Sequence, residues 1–312
     1  MCYNIVMFKH LFFHKLPRIF DKNITPEAQK NAQRWAIKIA LVSFIIHLIL
    51  VFIGVHFESA ETIRHLIPPN YLSAIYTPFS IILIYEIFEL VIIIPKSLTS
   101  FIAKQYEIIS LIFIREVFKD MSKLHDLTIN QENLEVFHNI LYDLLTGIVL
   151  FLFVVIFSHI NHYRHRIVSN IEVINFINVK KSLSLILGVG LIFLALYSFY
   201  DWAYSGYQAL SHDQDYYHPI KLVFYKDFFT FMVFVDVFLM ILSLIYTRSY
   251  DIIFRNAAFG VSTVLIRLSL TSPRPLNQWI ALSALGVGIF TVAIFVYYNR
   301  IITREEKIEK NL

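Results

Sequence analysis

Apolar residues do not recur along this chain with the period of a surface helix; they run on in blocks. Six stretches, 35–57, 75–95, 140–159, 182–200, 222–246 and 278–298, are mostly apolar. Each is near the ~20 residues that cross ~30 Å of hydrocarbon as a helix. Two further stretches are interrupted by charge. Residues 99–118 carry Lys104, Glu107, Arg115 and Glu116, and residues 250–270 carry Asp251, Arg255 and Arg267. Each predicts either a buried membrane helix or one lying in the interface.

Loop charge separates these cases, because Lys and Arg collect on the cytoplasmic side. With eight spans, one side of the membrane holds 16 Lys and Arg and the other 5. If 99–118 does not cross, the split is 13 to 10. The pattern therefore predicts eight crossings with both termini cytoplasmic, in the cell inner (plasma) membrane. Trp35, Trp202 and Trp279 fall at span ends, where indole prefers the headgroup level.

Composition agrees with this class. Of 312 residues, 57% are hydrophobic and 16% charged, and the mean hydropathy is +0.61. Those values exclude a disordered chain, a disulfide scaffold and an ordinary cytosolic enzyme. Cys2 is the only cysteine, so no disulfide forms within the chain. Lys9, Lys15 and Pro17 break the first 30 residues, so no signal peptide is expected and the first span acts as an uncleaved anchor. The predicted organisation is an interfacial amphipathic segment (1–34), a four-helix membrane unit (35–159), a cytoplasmic connector (160–181), a second unit (182–300) and a charged tail (301–312). In the first segment Ile5, Phe8, Phe12, Phe13, Leu16 and Phe20 alternate with Lys9, His10, His14, Lys15 and Arg18, as in a helix lying on a membrane. Thr128 and Gln131 have the spacing of a capping box.

The two units can be laid over each other. Tyr85-Glu86-Ile87-Phe88 falls on Val235-Asp236-Val237-Phe238, 150 residues apart; Lys104 falls on Arg255, 151 apart; Arg115 falls on Arg267, 152 apart. The last span of each unit carries glycine, Gly147 in one and Gly286 and Gly288 in the other. The fold expected is all-α, a polytopic helix bundle of eight transmembrane helices in two parallel four-helix repeats.

Ionisable groups inside a membrane are costly, normally paired, and functional candidates by default. Glu86 and Glu89 share one face of span two. The tight connection at 96–99 folds span three back, which brings Lys104 and Glu107 to the level of Glu89. Lys104 and Arg115 lie 11 residues apart, on one face and ~16 Å apart along the axis. Asp236 falls between the levels of Arg255 and Arg267, and Asp251 is four residues before Arg255. His47 sits in mid span one, as an interior histidine or a proton relay. Two readings of these residues stand: a pathway for protons or small ions through the acid–base network, and a set of structural charges that fix helix register.

Other chemistry is thin. His159, His162 and His165 lie beside Arg164 and Arg166, and the 212–218 loop holds two His and two Asp; neither predicts a metal site. No metal or cofactor is expected. No catalytic motif occurs, so the chain is not expected to be an enzyme, with an intramembrane enzyme as a third reading. The partners expected are membrane lipids, with anionic headgroups on the cytoplasmic side. Nucleic acid is not expected, and a second copy of the chain is left open.

Residues 182–300 resemble the phosphate-starvation-inducible PsiE-like membrane family. The resemblance is carried by Asp236 within 234–238, by Phe254-Arg255, and by 261–267 ending in Arg267. It implies a four-helix unit with an acid in its second helix and two Arg in its third. Residues 86–115 would then be a diverged second copy, with Lys104 in place of one Arg. It implies no particular activity.

Overall fold

The computed structural model describes residues 11–57, 70–121, 134–162, 171–211, 223–246 and 250–309. Cys2, the start of the interfacial segment before residue 11, the capping box at 128–131, His165 with its neighbouring arginines, and the 212–218 loop lie outside them. Among the described residues all regular structure is helical. A short π-turn (Leu11–Lys15) leads into α1 (Leu16–Asn23), and eight long helices follow. These are α2 (Pro26–His56), α3 (Ser73–Ile93), α4 (Leu98–Met121), α5 (Leu134–His162), α6 (Ile171–Ser211), α7 (Val223–Tyr246), α8 (Tyr250–Thr271) and α9 (Leu276–Glu309).

Several helices outrun the apolar blocks, because local capping and backbone preference set helix ends, not hydropathy. Thr25 accepts the Ala28 N–H at 3.1 Å, and Pro26 fills the first helical position, where no donor is needed. The helix thus starts nine residues before the apolar run, and the expected boundary at 34/35 falls inside α2. No Gly or Pro stands between Ile171 and Leu187, so nothing stops the helix there. Residues 171–181, expected in a separate connector, form the first turns of α6. Likewise 301–309, expected as a tail, continues α9. Between α3 and α4, Pro95 follows the helix end, and Ser97 caps the next helix by accepting the Ser100 N–H at 3.1 Å.

Six of these helices, α2, α3, α5, α6, α8 and α9, are long and apolar enough to cross a membrane. The chain is a helical membrane bundle. In α7 the described apolar run, Met232–Ser243, is short, and α4 is too charged to qualify. Packing explains how α4 carries its charge. More than half of its residues are buried, whereas α2 buries only Ala40, Val51 and Gly54. Beyond Lys38, α2 is mostly apolar and mostly exposed; α4 is a central helix that faces protein.

Consecutive helices pack in each half: α2 on α3, α3 on α4 and α4 on α5, then α6 on α7, α7 on α8 and α8 on α9. Across the halves, α5 meets α9, α4 meets α8, and α3 meets α6. Lipid gives helices little hydrophobic reason to associate, so close packing and polar contacts must hold them. Ile87, Leu90, Tyr106, Leu150, Phe157, Phe259, Ala284 and Val292 belong to one fully buried cluster that spans both halves.

The ends of the bundle are tied by polar contacts. At one, Lys180 of α6 donates to Lys96 O at 2.7 Å and Ser184 to Val91 O at 2.6 Å. Beside them Lys181 pairs with Asp21 of α1 at 2.7 Å, and Ser182 donates to Phe12 O. The amphipathic α1 therefore docks on α6, with Pro17 and Phe20 buried. The other end gathers the C-terminus of α4, the start of α5 and the turn between α8 and α9. Since α4 has 24 residues, it joins the two ends over ~36 Å.

Candidate functional site

The structure places three polar networks along α4. In the first, Lys104 Nζ lies 2.5 Å from Glu86, 2.8 Å from Glu89 and 3.1 Å from Glu107. The hairpin of α3 and α4 creates this geometry. Glu86 and Glu89 are one turn apart on α3, Lys104 and Glu107 one turn apart on α4, and the tight turn sets both pairs at one level. Lys104 is six residues into α4, ~9 Å from its start. Its side chain is 11% exposed, while Glu89 and Glu107 are 33% and 43% exposed.

Arg115 does not join this group. It approaches Glu116 at 3.5 Å and stands 5.4 Å from the centroid of the Tyr76 ring. Eleven residues on a helix share a face, but the partner helix offers Tyr76 at that level, not an acid. His47 accepts or donates a 2.6 Å hydrogen bond with Thr77 and is removed from the carboxylates.

The second network crosses between the halves. Arg267 Nη2 is 3.6 Å from Asp236 Oδ2, and both side chains are almost fully buried. Gln105 closes the pair: its Nε2 donates to Asp236 Oδ1 at 3.0 Å, and its Oε1 accepts from Arg267 Nη2 at 3.3 Å. A carboxamide can donate to a carboxylate and accept from a guanidinium at once. Arg255 is elsewhere, on Asn256 Oδ1 at 3.0 Å and 4.4 Å from the centroid of Phe295. Asn256 in turn donates to Ser243 at 2.8 Å. Beside this network Ser262 donates to Ala284 O at 2.7 Å and so accepts from Tyr106 at 2.6 Å.

Gln105 escaped the sequence reading because it is uncharged. A signal existed: Lys104-Gln105 and Arg255-Asn256 repeat a base followed by a carboxamide, 151 residues apart. Gln105→Leu, which leaves both partners one bond short, is expected to cost about 1–3 kcal/mol. Gln105→Glu is expected to cost more, since it sets a second carboxylate against Asp236. Thermal unfolding in detergent measures both.

The third network was also unforeseen. Arg274, in the turn between α8 and α9, pairs with Asp120 at 2.7 Å and with Asp143, and lies 3.9 Å from Glu116. Gln278 donates to Asp143 at 2.7 Å and Lys119 pairs with Glu116 at 2.8 Å. Burial disfavours the Arg274 charge, but Asp143, Asp120 and Glu116 outweigh it and raise its pKa. Asp143 was hidden inside an apolar block, 131 residues from Arg274.

Among the described residues no group of three His, Cys, Asp or Glu is placed to hold a metal ion. His159 and His162 stand at the end of α5. No protein-family model matches the chain, and no curated protein or solved structure matches it either.

Proposed function

We propose that this chain is an eight-crossing membrane protein that moves protons or small ions through the carboxylates around Lys104. One observation carries the reading: three carboxylates lie within 3.1 Å of a single ammonium. One cation neutralises one of them. Uncompensated charge at this depth is expensive, so the excess is balanced by a proton or a small cation, and a group that must hold one can pass it on. The partial exposure of Glu89 and Glu107 supplies a route in.

The crossings of α4, too charged on its own, and of α7, whose described apolar run is short, are part of this proposal, as is the internal repeat. The pairing of α4 with α8 and of α5 with α9 supports two units related by a two-fold axis along the membrane normal. In this reading the second unit is PsiE-like and the first a diverged copy. The excess of Lys and Arg at the end carrying α1 supports cytoplasmic termini and contact with anionic headgroups.

The test is flux of protons, Na⁺ and K⁺ in proteoliposomes. Glu86→Gln is expected to lose most of the flux of the ion carried while the protein stays folded. Flux of all three ions no greater than in protein-free liposomes would reject the reading. A second reading rests on the Asp236–Arg267–Gln105 network, which is buried and charge-balanced: the chain is then a non-catalytic, partner-binding membrane component whose charges lock helix register.

A further inference from the structure

The cluster around Arg274 takes no part in the uptake site, yet it is the densest set of ionic contacts among the described residues. We propose that Arg274 is the gate of the Lys104 site. It holds the far end of the bundle shut, so that ions reach Glu86, Glu89 and Glu107 from the end carrying α1 and leave by the other end only when the Arg274 contacts part. This proposal rests on the Lys104 cluster being the uptake site.

Four observations support it. Arg274 and Gln278 belong to the second half of the chain, whereas Glu116, Asp120 and Asp143 belong to the first, so the contacts clamp one half onto the other. The clamp and the site share α4: Asp120 lies 16 residues beyond Lys104, ~24 Å along the axis. Exposure differs sharply between them. Asp120 and Asp143 are 2% and 1% exposed, against 33% and 43% for Glu89 and Glu107. Two acids of the clamp are therefore closed off, whereas two acids of the site are open to approach.

The fourth observation concerns the cost of opening. When Arg274 leaves, Gln278 still donates to Asp143, and Lys119 still pairs with Glu116. Asp143 and Glu116 are not stranded, which is what makes breaking a buried ion pair so costly; Asp120 is the acid that gives up its ion pair. Arg274 itself is 27% exposed and has water to move into.

The experiment uses the full chain with Cys2→Ser and Ala103→Cys, a cysteine one turn before Glu107. A membrane-impermeant thiol reagent is applied to each face in right-side-out and inside-out vesicles. The parent is expected to label only from the face that carries α1. Arg274→Gln is expected to label from both, and Arg274→Glu combined with Asp143→Arg to return to one. Asp120→Asn, which loosens the clamp without removing it, is expected to give partial two-sided labelling and serves if Arg274→Gln does not fold. Labelling of the parent from the far face, or one-sided labelling of folded Arg274→Gln and Asp120→Asn, would overturn the proposal. Two-sided labelling of Arg274→Gln without ion flux in any variant would keep the gate and reject the uptake reading instead.

Discussion

Lys104→Met is expected to destabilise the protein by about 3–5 kcal/mol, the cost of removing one partner from a buried ionic group. Three carboxylates would face one another across the α3–α4 hairpin with no cation between them. The long apolar stem of Met refills the space of the lysine chain, so the loss reports charge and not a cavity. Adding Glu86→Gln is expected to recover part of the stability, because it removes a negative charge from the most buried of the three acids. The midpoint of thermal unfolding in detergent, with size-exclusion to score aggregation, measures both. If Lys104→Met melts with the parent, the carboxylates do not depend on that ammonium, and the charge argument for the uptake site goes with it.

The second large effect is steric. Tyr106 lies against Gly288 of α9 so closely that a Cβ there would meet the ring at 2.6 and 2.8 Å, and the hydroxyl closer still. The ring cannot retreat: it is fully buried, packs edge-on against Phe157 at 5.0 Å, and is tethered by its hydroxyl to Ser262. Gly288→Ala is expected to cost about 2–5 kcal/mol, combining overpacking with a lost buried hydrogen bond. Tyr106→Phe alone is expected to cost about 1 kcal/mol. In the double variant the nearest atom and the tether are both gone, so the ring can shift. Its loss is therefore expected to be smaller than that of Gly288→Ala alone. Additive losses would mean that α9 moves to make room and that the contact does not fix the crossing of α4 and α9.

The two networks that sequence reasoning approached show what a single chain reveals about a membrane bundle. Glu89 and Lys104 could be set at one level because a tight turn converts sequence distance into depth. The same logic placed Asp236 between the levels of Arg255 and Arg267, and it meets Arg267. Depth is only one coordinate, however. Arg115 had the right face for a shared network, but nothing along the chain says that Tyr76 stands opposite it. Gln105 and Arg274 depend on contacts between residues 131 or more apart. These follow from how the halves dock, which no periodicity encodes. Helix ends failed for another reason: hydropathy marks what lipid must cover, while Thr25, Pro26 and the Gly-free stretch before Gly188 decide where helices start.

The length of α6 has a mechanical consequence. Its 41 residues make a rod of ~62 Å, about twice the hydrocarbon thickness. It is pinned near one end, where Lys180, Lys181, Ser182 and Ser184 grip Lys96, Asp21 of α1, Phe12 and Val91 of α3 in turn. Some 27 residues, ~40 Å, run from that fulcrum to Ser211. A tilt of ten degrees or so about the grip would sweep the distal tip by ~7 Å, given that lever arm. A small tilt at the grip is thereby magnified at the distal tip of α6.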